Sequence, residues 1–207
     1  MPLATQPRHL PAQLDFLIVC DQLKAVTRTT HLHDGSRLEN SAEHSWHLAL
    51  MAMTLAEYAP GGTDLSQVIR LLLVHDLVEI GAGDTHFDTD TAQLTAQATA
   101  EAQAARQLFG LLPADQAQEF LAIWEEFEAQ ATPEARFARA LDALHPMLLT
   151  WGQAGRVGVG CQDRYPELTV KRVLQLKEKY LAEFPALWQA AQDIMAQAEM
   201  AGVVLQE

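Results

Sequence analysis

The sequence predicts an all-α protein of seven or eight helices, and three observations carry that prediction. Apolar residues recur at spacings of three and four along most of the chain, helix-capping residues stand directly before several of these runs, and no segment alternates convincingly between apolar and polar residues. At 207 residues the chain has the length of a single domain, with a core supplied by helix-on-helix packing.

Leu10, Leu14, Leu17, Ile18 and Leu23 mark a first amphipathic helix, followed by a loop, TTHLHDGSR. Asn40 stands three residues before Glu43, as in a capping box, and opens a helix from Ser41 to Tyr58 that Pro60, Gly61 and Gly62 end. Asp64 is a good N-cap for a helix from Leu65 to about Ile80, which is apolar almost all round and therefore central. GAGD, residues 81–84, breaks it. A helix from about Thr91 to Phe109 carries Leu94, Ala98, Ala105 and Leu108 as an inward stripe, and Pro113 opens another containing Phe120, Ile123, Trp124 and Phe127.

Thr132 and Pro133 cap and start a helix through Trp151, with Phe137, Leu141, Leu144 and Leu148 on one stripe. The glycine-rich GQAGRVGVG, residues 152–160, lacks the strand before and the helix after it that a nucleotide-binding fingerprint requires. Two further helices, about 167–183 and 185–201, either pack on the core formed by residues 10–151 or form a dimer interface.

Composition narrows the function classes. The formal net charge of -13 disfavours polymeric nucleic acids and anionic membranes as partners, and a phosphorylated ligand would need a local cation to overcome that field. Cys20 and Cys161 make neither a disulfide framework nor a Cys-x-x-Cys site. The N-terminal MPLATQPRHLPAQ does not read as a secretory signal, and no apolar run approaches the roughly 20 residues of a membrane span. The expected location is the cytoplasm.

The segment LLLVHDLVEI, residues 71–80, sets three ionisable groups inside an otherwise aliphatic helix. Helical spacing puts His75 and Glu79 on one face, with Asp76 three residues before Glu79. A carboxylate there is costly to desolvate unless it is paired or coordinates a cation, and residues 71–90 contain no Lys or Arg. A metal is the more economical explanation. Two further polar residues stand in core-forming segments: His44 in EHSWHLALMAM and Asp142 in ARALDALHPML. The set His44, His75, Asp76 and Asp142 offers two imidazoles and two carboxylates, which suits one divalent transition metal with positions left for water and substrate.

This order of His, His-Asp and a distant Asp on helices resembles the HD-domain superfamily of metal-dependent phosphohydrolases. The segments QLKAVTRTTHLHDGSRLENSAEHSWHLALMAM, VHDLVEIGAGD and FARALDALHPML, between residues 22 and 149, are similar to the branch containing the 5'-deoxynucleotidases. The resemblance implies that His44, His75, Asp76 and Asp142 ligate the metal, that Glu79 and Asp84 sit beside the attacking water, and that Arg28 contacts the substrate phosphate. It also points to a homodimer. Relatives often carry a tryptophan in the loop after the arginine, whereas none occurs here before Trp46, a departure that bears on sugar and base selection. Two-metal members add histidines between the His-Asp pair and the last aspartate; only His86 lies there, so one ion is expected, be it cobalt, manganese, zinc, iron, nickel or magnesium.

Each residue also has a plainer reading. His44 could be a first-turn surface histidine, Asp142 could pair with Arg139 or Arg136, Glu79 could end a helix, Asp84 could serve the turn, and Arg28 could be a solvated loop cation. His47 and His145 stand one turn from His44 and Asp142 and could support them or serve surface or core, while His31, His33 and His86 have weaker claims. The expected reaction is hydrolysis of a phosphomonoester, a nucleoside 5'-monophosphate above all. Glu79 would orient or deprotonate water, Asp84 would protonate the leaving oxygen or fix the substrate, and Arg28 would grip phosphate. The alternatives are another ester, such as an alarmone or a sugar phosphate, and a metal-stabilised binding module without turnover.

Overall fold

The computed structural model describes residues 9–84, 91–152 and 168–202. Helix α1 spans Leu10–Cys20, with a proline in its first turn, and tightens into a 3-10 turn over Asp21–Ala25. Its predicted stripe is formed but not covered: Leu10, Leu14, Leu17 and Ile18 are exposed, Ile18 by 70%, while Phe16 and Leu23 enter the core. Periodicity fixes a helix and its apolar side; it does not say what that side packs on.

The segment expected to be a loop is a β-hairpin. Strands β1 (Thr27–His31) and β2 (Leu38–Asn40) pair antiparallel, with Thr27 opposite Asn40 and His31 opposite Leu38. Four steps along β1 face two along β2, so the ladder carries an irregularity between its two ends. The turn closes through the Leu32 N–H to Arg37 carbonyl bond (2.9 Å), and Gly35 takes a φ of +72° that a side chain would oppose. The β-branched residues at 26, 27, 29 and 30 favour extended backbone, but both faces are polar or half-buried, so the alternation that announces a strand is missing.

Helix α2 (Ser41–Thr54) begins with the expected capping box: the Glu43 N–H donates to Asn40 Oδ1 (3.0 Å) and the Asn40 N–H to Glu43 Oε2 (3.3 Å). It ends earlier than predicted, and Ala56–Tyr58 form a separate 3-10 turn. Helix α3 (Leu65–Val74) is capped by Asp64, which accepts from Ser66 and Gln67. The single helix expected to run to Ile80 instead winds into a 3-10 turn at His75–Val78 and a one-turn α4 at Glu79–Ala82, which Gly83 closes at φ +78°.

Helices α5 (Thr91–Phe109), α6 (Ala114–Ala129) and α7 (Pro133–Trp151) follow near their expected bounds, α7 capped by Thr132 Oγ1. Helices α8 (Val170–Leu181) and α9 (Pro185–Met200) complete the described chain. Both pack against α7, which also meets α2, α3 and α6. The central helix is therefore α7. Phe137, Leu141 and Met147 on it are fully buried with Leu48, Leu71, Leu72, Leu181 and Met195, each worth about 1.5–3 kcal/mol relative to exposure. The stripe predicted on α5 divides: Ala105 and Leu108 enter this core, while Leu94 and Ala98 line a cavity above it.

The capping box orients the first turn of α2 and hence His44. Asn40→Ala is expected to lower stability by about 1 kcal/mol in urea unfolding; an unchanged midpoint would remove the cap from the account.

Candidate metal centre

Four chain segments meet at the floor of a cavity of about 350 Å³. His44 comes from the first turn of α2, His75 and Asp76 from the 3-10 turn, Asp142 from the middle of α7, and Arg28 from β1. His44, His75 and Asp142 each offer a donor atom within 4.8 Å of the others. Asp76 adjoins this trio with its oxygens divided: Oδ1 lies 2.9 Å from His75 Nε2, and Oδ2 accepts from Arg28 Nη1 at 2.9 Å.

The state of His75 is the test of whether an ion fits. Its Nδ1 is 2.8 Å from the Leu72 carbonyl, an acceptor, so Nδ1 carries the proton and Nε2 in the neutral ring presents a lone pair. Nε2 is buried and has no hydrogen bond, because the nearby Asp76 oxygen lies outside bonding geometry. An unpaired buried nitrogen costs about 1–3 kcal/mol, and a cation at the site would satisfy it. His44 Nε2 faces the same space, 3.0 Å from Asp142 Oδ1 and 3.8 Å from Asp76 Oδ2. Imidazole nitrogen with carboxylate oxygen fits a divalent transition ion.

Residues 71–90 do lack a local cation, yet a salt bridge reaches them from 48 residues away. Arg28, with its side chain only 12% exposed, bonds Asp76 and stands 3.8 Å from both Glu79 Oε1 and Asp84 Oδ1. The plain reading of Arg28 as a solvated cation fails. Asp142 has the neighbour foreseen for it, Arg139 at 3.2 Å, while Arg136 turns away to Glu183. Arg139 bridges to the cavity wall, its guanidinium 5.1 Å from the Phe127 ring centre and 5.3 Å from that of Tyr180.

Electrostatics separates the acids. Burial raises Asp76, but His75 when its ring is charged, and the Arg28 guanidinium, outweigh it and bring the carboxyl down to about 2. Asp142, likewise raised by burial, is held well below the carboxylate range by His44 and Arg139. Glu79 goes the other way, pushed up to about 10 by burial and then by the charge of Asp76, even though Ser41 Oγ donates to its Oε2 at 2.5 Å. Asp84 is also raised, by burial first. Two acids stay charged at the floor, and beside them Glu79 holds a proton while Asp84 has its proton affinity raised.

Two contributors escaped the sequence reading. Glu39 is 2% exposed on β2, with Oε2 3.7 Å from Arg28 Nε and 3.6 Å from His44 Nδ1; its only signal was a strand that the sequence did not announce. Ser41 holds Glu79. Arg139 packs on Phe127 and Tyr180, and His145, read from the sequence as a possible support, backs His44 at 3.1 Å. His33 Nδ1 lies 3.2 Å from the Leu149 carbonyl and His31 sits on β1, so neither joins the cluster; His86 lies outside the described residues. The cavity lining also includes Arg139, Lys177 and Lys179 together with Glu101 and Glu128, and burial takes Lys177 down to about 8.

Comparison with known proteins gives one family and several relatives. The HD domain family model matches residues 20–188. A human protein named 5'-deoxynucleotidase HDDC2 is 33% identical over 136 residues, which span 65% of this chain and 65% of that protein. The bovine protein of the same name is 32% identical over 149 residues, 71% of each. A solved structure described as a predicted metal-dependent phosphohydrolase from Magnetospirillum magnetotacticum MS-1 is 40% identical, with a TM-score of 0.83 over 95% of both chains.

Glu79 couples protonation to folding. Its proton is held to about pH 10 in the folded chain but lost around the ordinary 4.5 when unfolded, so the unfolded chain binds fewer protons in that window and stability falls as pH rises through it. The metal-free Glu79→Gln variant should therefore melt above wild type at pH 8 by about 2–4 °C, the shift that roughly 1 kcal/mol gives a domain of this size. The gap should close as pH is lowered toward 4.5; a pH-independent gap would contradict the assignment.

Proposed function

Because this chain belongs to the HD domain family, we propose that it is a metal-dependent phosphomonoester hydrolase that removes the 5'-phosphate of (deoxy)nucleoside monophosphates. The observation that carries the reading is the meeting of His44, His75 and Asp142 around an unpaired His75 Nε2, with Arg28 beside it at a cavity of about 350 Å³. The names of the relatives support a nucleotide substrate, and a cavity of about 350 Å³ suits a small molecule rather than a polymer. His44, His75, Asp76 and Asp142 would hold one divalent ion, whether cobalt, manganese, zinc, iron, nickel or magnesium. When bound, such an ion supplies Lewis acidity, lowering the pKa of water and polarising a phosphoryl oxygen.

The chain's own groups do the rest. Glu79, fixed by Ser41, orients the attacking water; its proton affinity is raised in the metal-free site, and a bound cation would favour the carboxylate form that takes the water's proton. Asp84, whose proton affinity burial raises, would protonate the leaving 5'-oxygen. Arg28, tied to Asp76 when no substrate is bound, offers its fork to the phosphate. Arg139, Lys177 and Lys179, which also line the cavity, offset part of its acidic field. Thr29 and Thr30 line the cavity where relatives often carry a tryptophan, leaving more room beside the sugar.

We also propose a cytoplasmic homodimer. No described helix is long and apolar enough to cross a membrane. Since α8 and α9 pack on α7, the uncovered apolar stripes of α1 (Leu10, Leu14, Leu17, Ile18) and α2 (Trp46, Leu50, Met53) are the better dimer surface. Light scattering should give twice the chain mass for wild type and a monomer for Ile18→Glu; a wild-type monomer would refute the dimer.

The activity test is phosphate release from ribo- and deoxyribonucleoside 5'-monophosphates, sugar phosphates and guanosine tetraphosphate, with each metal restored. Nucleoside monophosphates should turn over, Glu79→Ala should lose about 100-fold or more in kcat, and Arg28→Ala should raise KM. Turnover of another ester with none of any nucleoside monophosphate would overturn the substrate assignment.

A further inference from the structure

His145 and His47 line up behind His44 and take no part in the proposed hydrolysis. His44 Nδ1 lies 3.1 Å from His145 Nδ1, and His145 Nε2 lies 3.0 Å from His47 Nδ1. The rings meet edge to face, with centroids 4.6 and 4.7 Å apart. His44 and His145 are completely buried, and His47 is half-buried at the outer end. The inner end, His44 Nε2, is 3.0 Å from Asp142 Oδ1.

A neutral imidazole has one N–H and one lone pair, so each contact in such a line dictates the tautomer of the next ring. A cation on His44 Nε2 requires that nitrogen to be bare, which places the proton on Nδ1 and demands an acceptor there. His145 Nδ1 is that acceptor; His145 then donates from Nε2 to His47 Nδ1, and His47 keeps its proton on Nε2. Without a cation the whole line reverses. His47 Nδ1 donates to His145 Nε2, His145 Nδ1 donates to His44 Nδ1, and His44 Nε2 donates to Asp142. Passing from the second arrangement to the first, one proton leaves His44 Nε2 on the Asp142 side and one enters His47 Nε2 from the outer side. No ring changes charge at any point in the balance.

The groups around the line fit this role. Glu39 flanks it, 3.6 Å from His44 Nδ1 and 3.6 Å from His145 Nε2, too long for a hydrogen bond at either, with Arg28 beyond it at 3.7 Å.

We propose that His145, backed by His47, is a positioning residue that sets the tautomer of His44 and so keeps its Nε2 available to the metal. The inference rests on the reading of His44 as a metal ligand. Partners of this kind are worth about 10–100-fold in metal affinity.

The test titrates metal-free wild type, His145→Leu, His145→Gln and His47→Leu with cobalt or zinc against a chromophoric chelator, with melting curves for each. His145→Leu should bind metal about 10–100-fold more weakly, and His145→Gln, whose amide oxygen can accept from His44 Nδ1, should recover most of the loss. Long-range ¹H–¹⁵N spectra of the metal-loaded wild type should show protons on His44 Nδ1 and His145 Nε2. Unchanged affinity in His145→Leu, or a proton on His145 Nδ1 in the loaded protein, overturns the proposal while leaving the metal centre intact. Two ions per chain would also overturn it, since Glu39, His44 and His145 would then be a second site. Should His145→Leu fail to fold, the wild-type spectra decide. If wild type binds no divalent ion, the metal-centre reading itself falls.

Discussion

The Arg28–Asp76 ion pair, 2.9 Å across and nearly dry, ties a hairpin to a turn 48 residues further along the chain, and much of the site's arrangement follows from it. Asp76 sits among Glu79, Asp84, Asp142 and Glu39, a density of acids that burial alone would force to neutralise. Arg28 reaches three of these carboxylates from one point and approaches a fourth through Nε. Removing one partner of such a pair strands the other in a poor solvent, at a cost of about 3–5 kcal/mol. The hairpin is therefore part of the candidate metal centre, although it adds little to the apolar core.

From that pair the division of labour among the acids follows. Asp76 and Asp142 have cations or imidazoles close enough to stay ionised, while Glu79 and Asp84, further from Arg28, have their proton affinity raised by burial. Two carboxylates suited to holding an ion thus adjoin two suited to moving a proton. The same helices set this contrast, since α7 carries Asp142 and buries the floor beneath it, and the 3-10 turn tightens where His75 and Asp76 must point into one cavity. Pro146, one turn after Asp142, lines that cavity and cannot donate to the Asp142 carbonyl, so the helix is locally open at the same place.

Much of this was legible in the sequence, for physical reasons that differ by residue. Caps at Asn40, Asp64 and Thr132 are local chemistry and formed as read. His75, Asp76 and Asp142 stood out because charge inside an apolar helix has few explanations, and the structure brings them together. The hairpin was missed because its strands present no apolar face, and with it went Glu39, whose burial depends on contacts far along the chain. The exposed stripe of α1 shows the converse limit. A periodic pattern names the side that avoids water, but a second surface has to supply the cover. The partnership of His44, His145 and His47 depends on α2 meeting α7 about 100 residues later, which no spacing within either helix encodes.

The central claim is that the unpaired nitrogen of His75 and its neighbours form one cation site. Counting metal by elemental analysis after dialysis of wild type, His75→Ala and Asp142→Ala against excess manganese, cobalt or zinc tests it most directly. The account predicts one ion per chain in wild type and a loss of most of it in both folded variants. Full occupancy in the variants, or none in wild type with any of the metals, would contradict it.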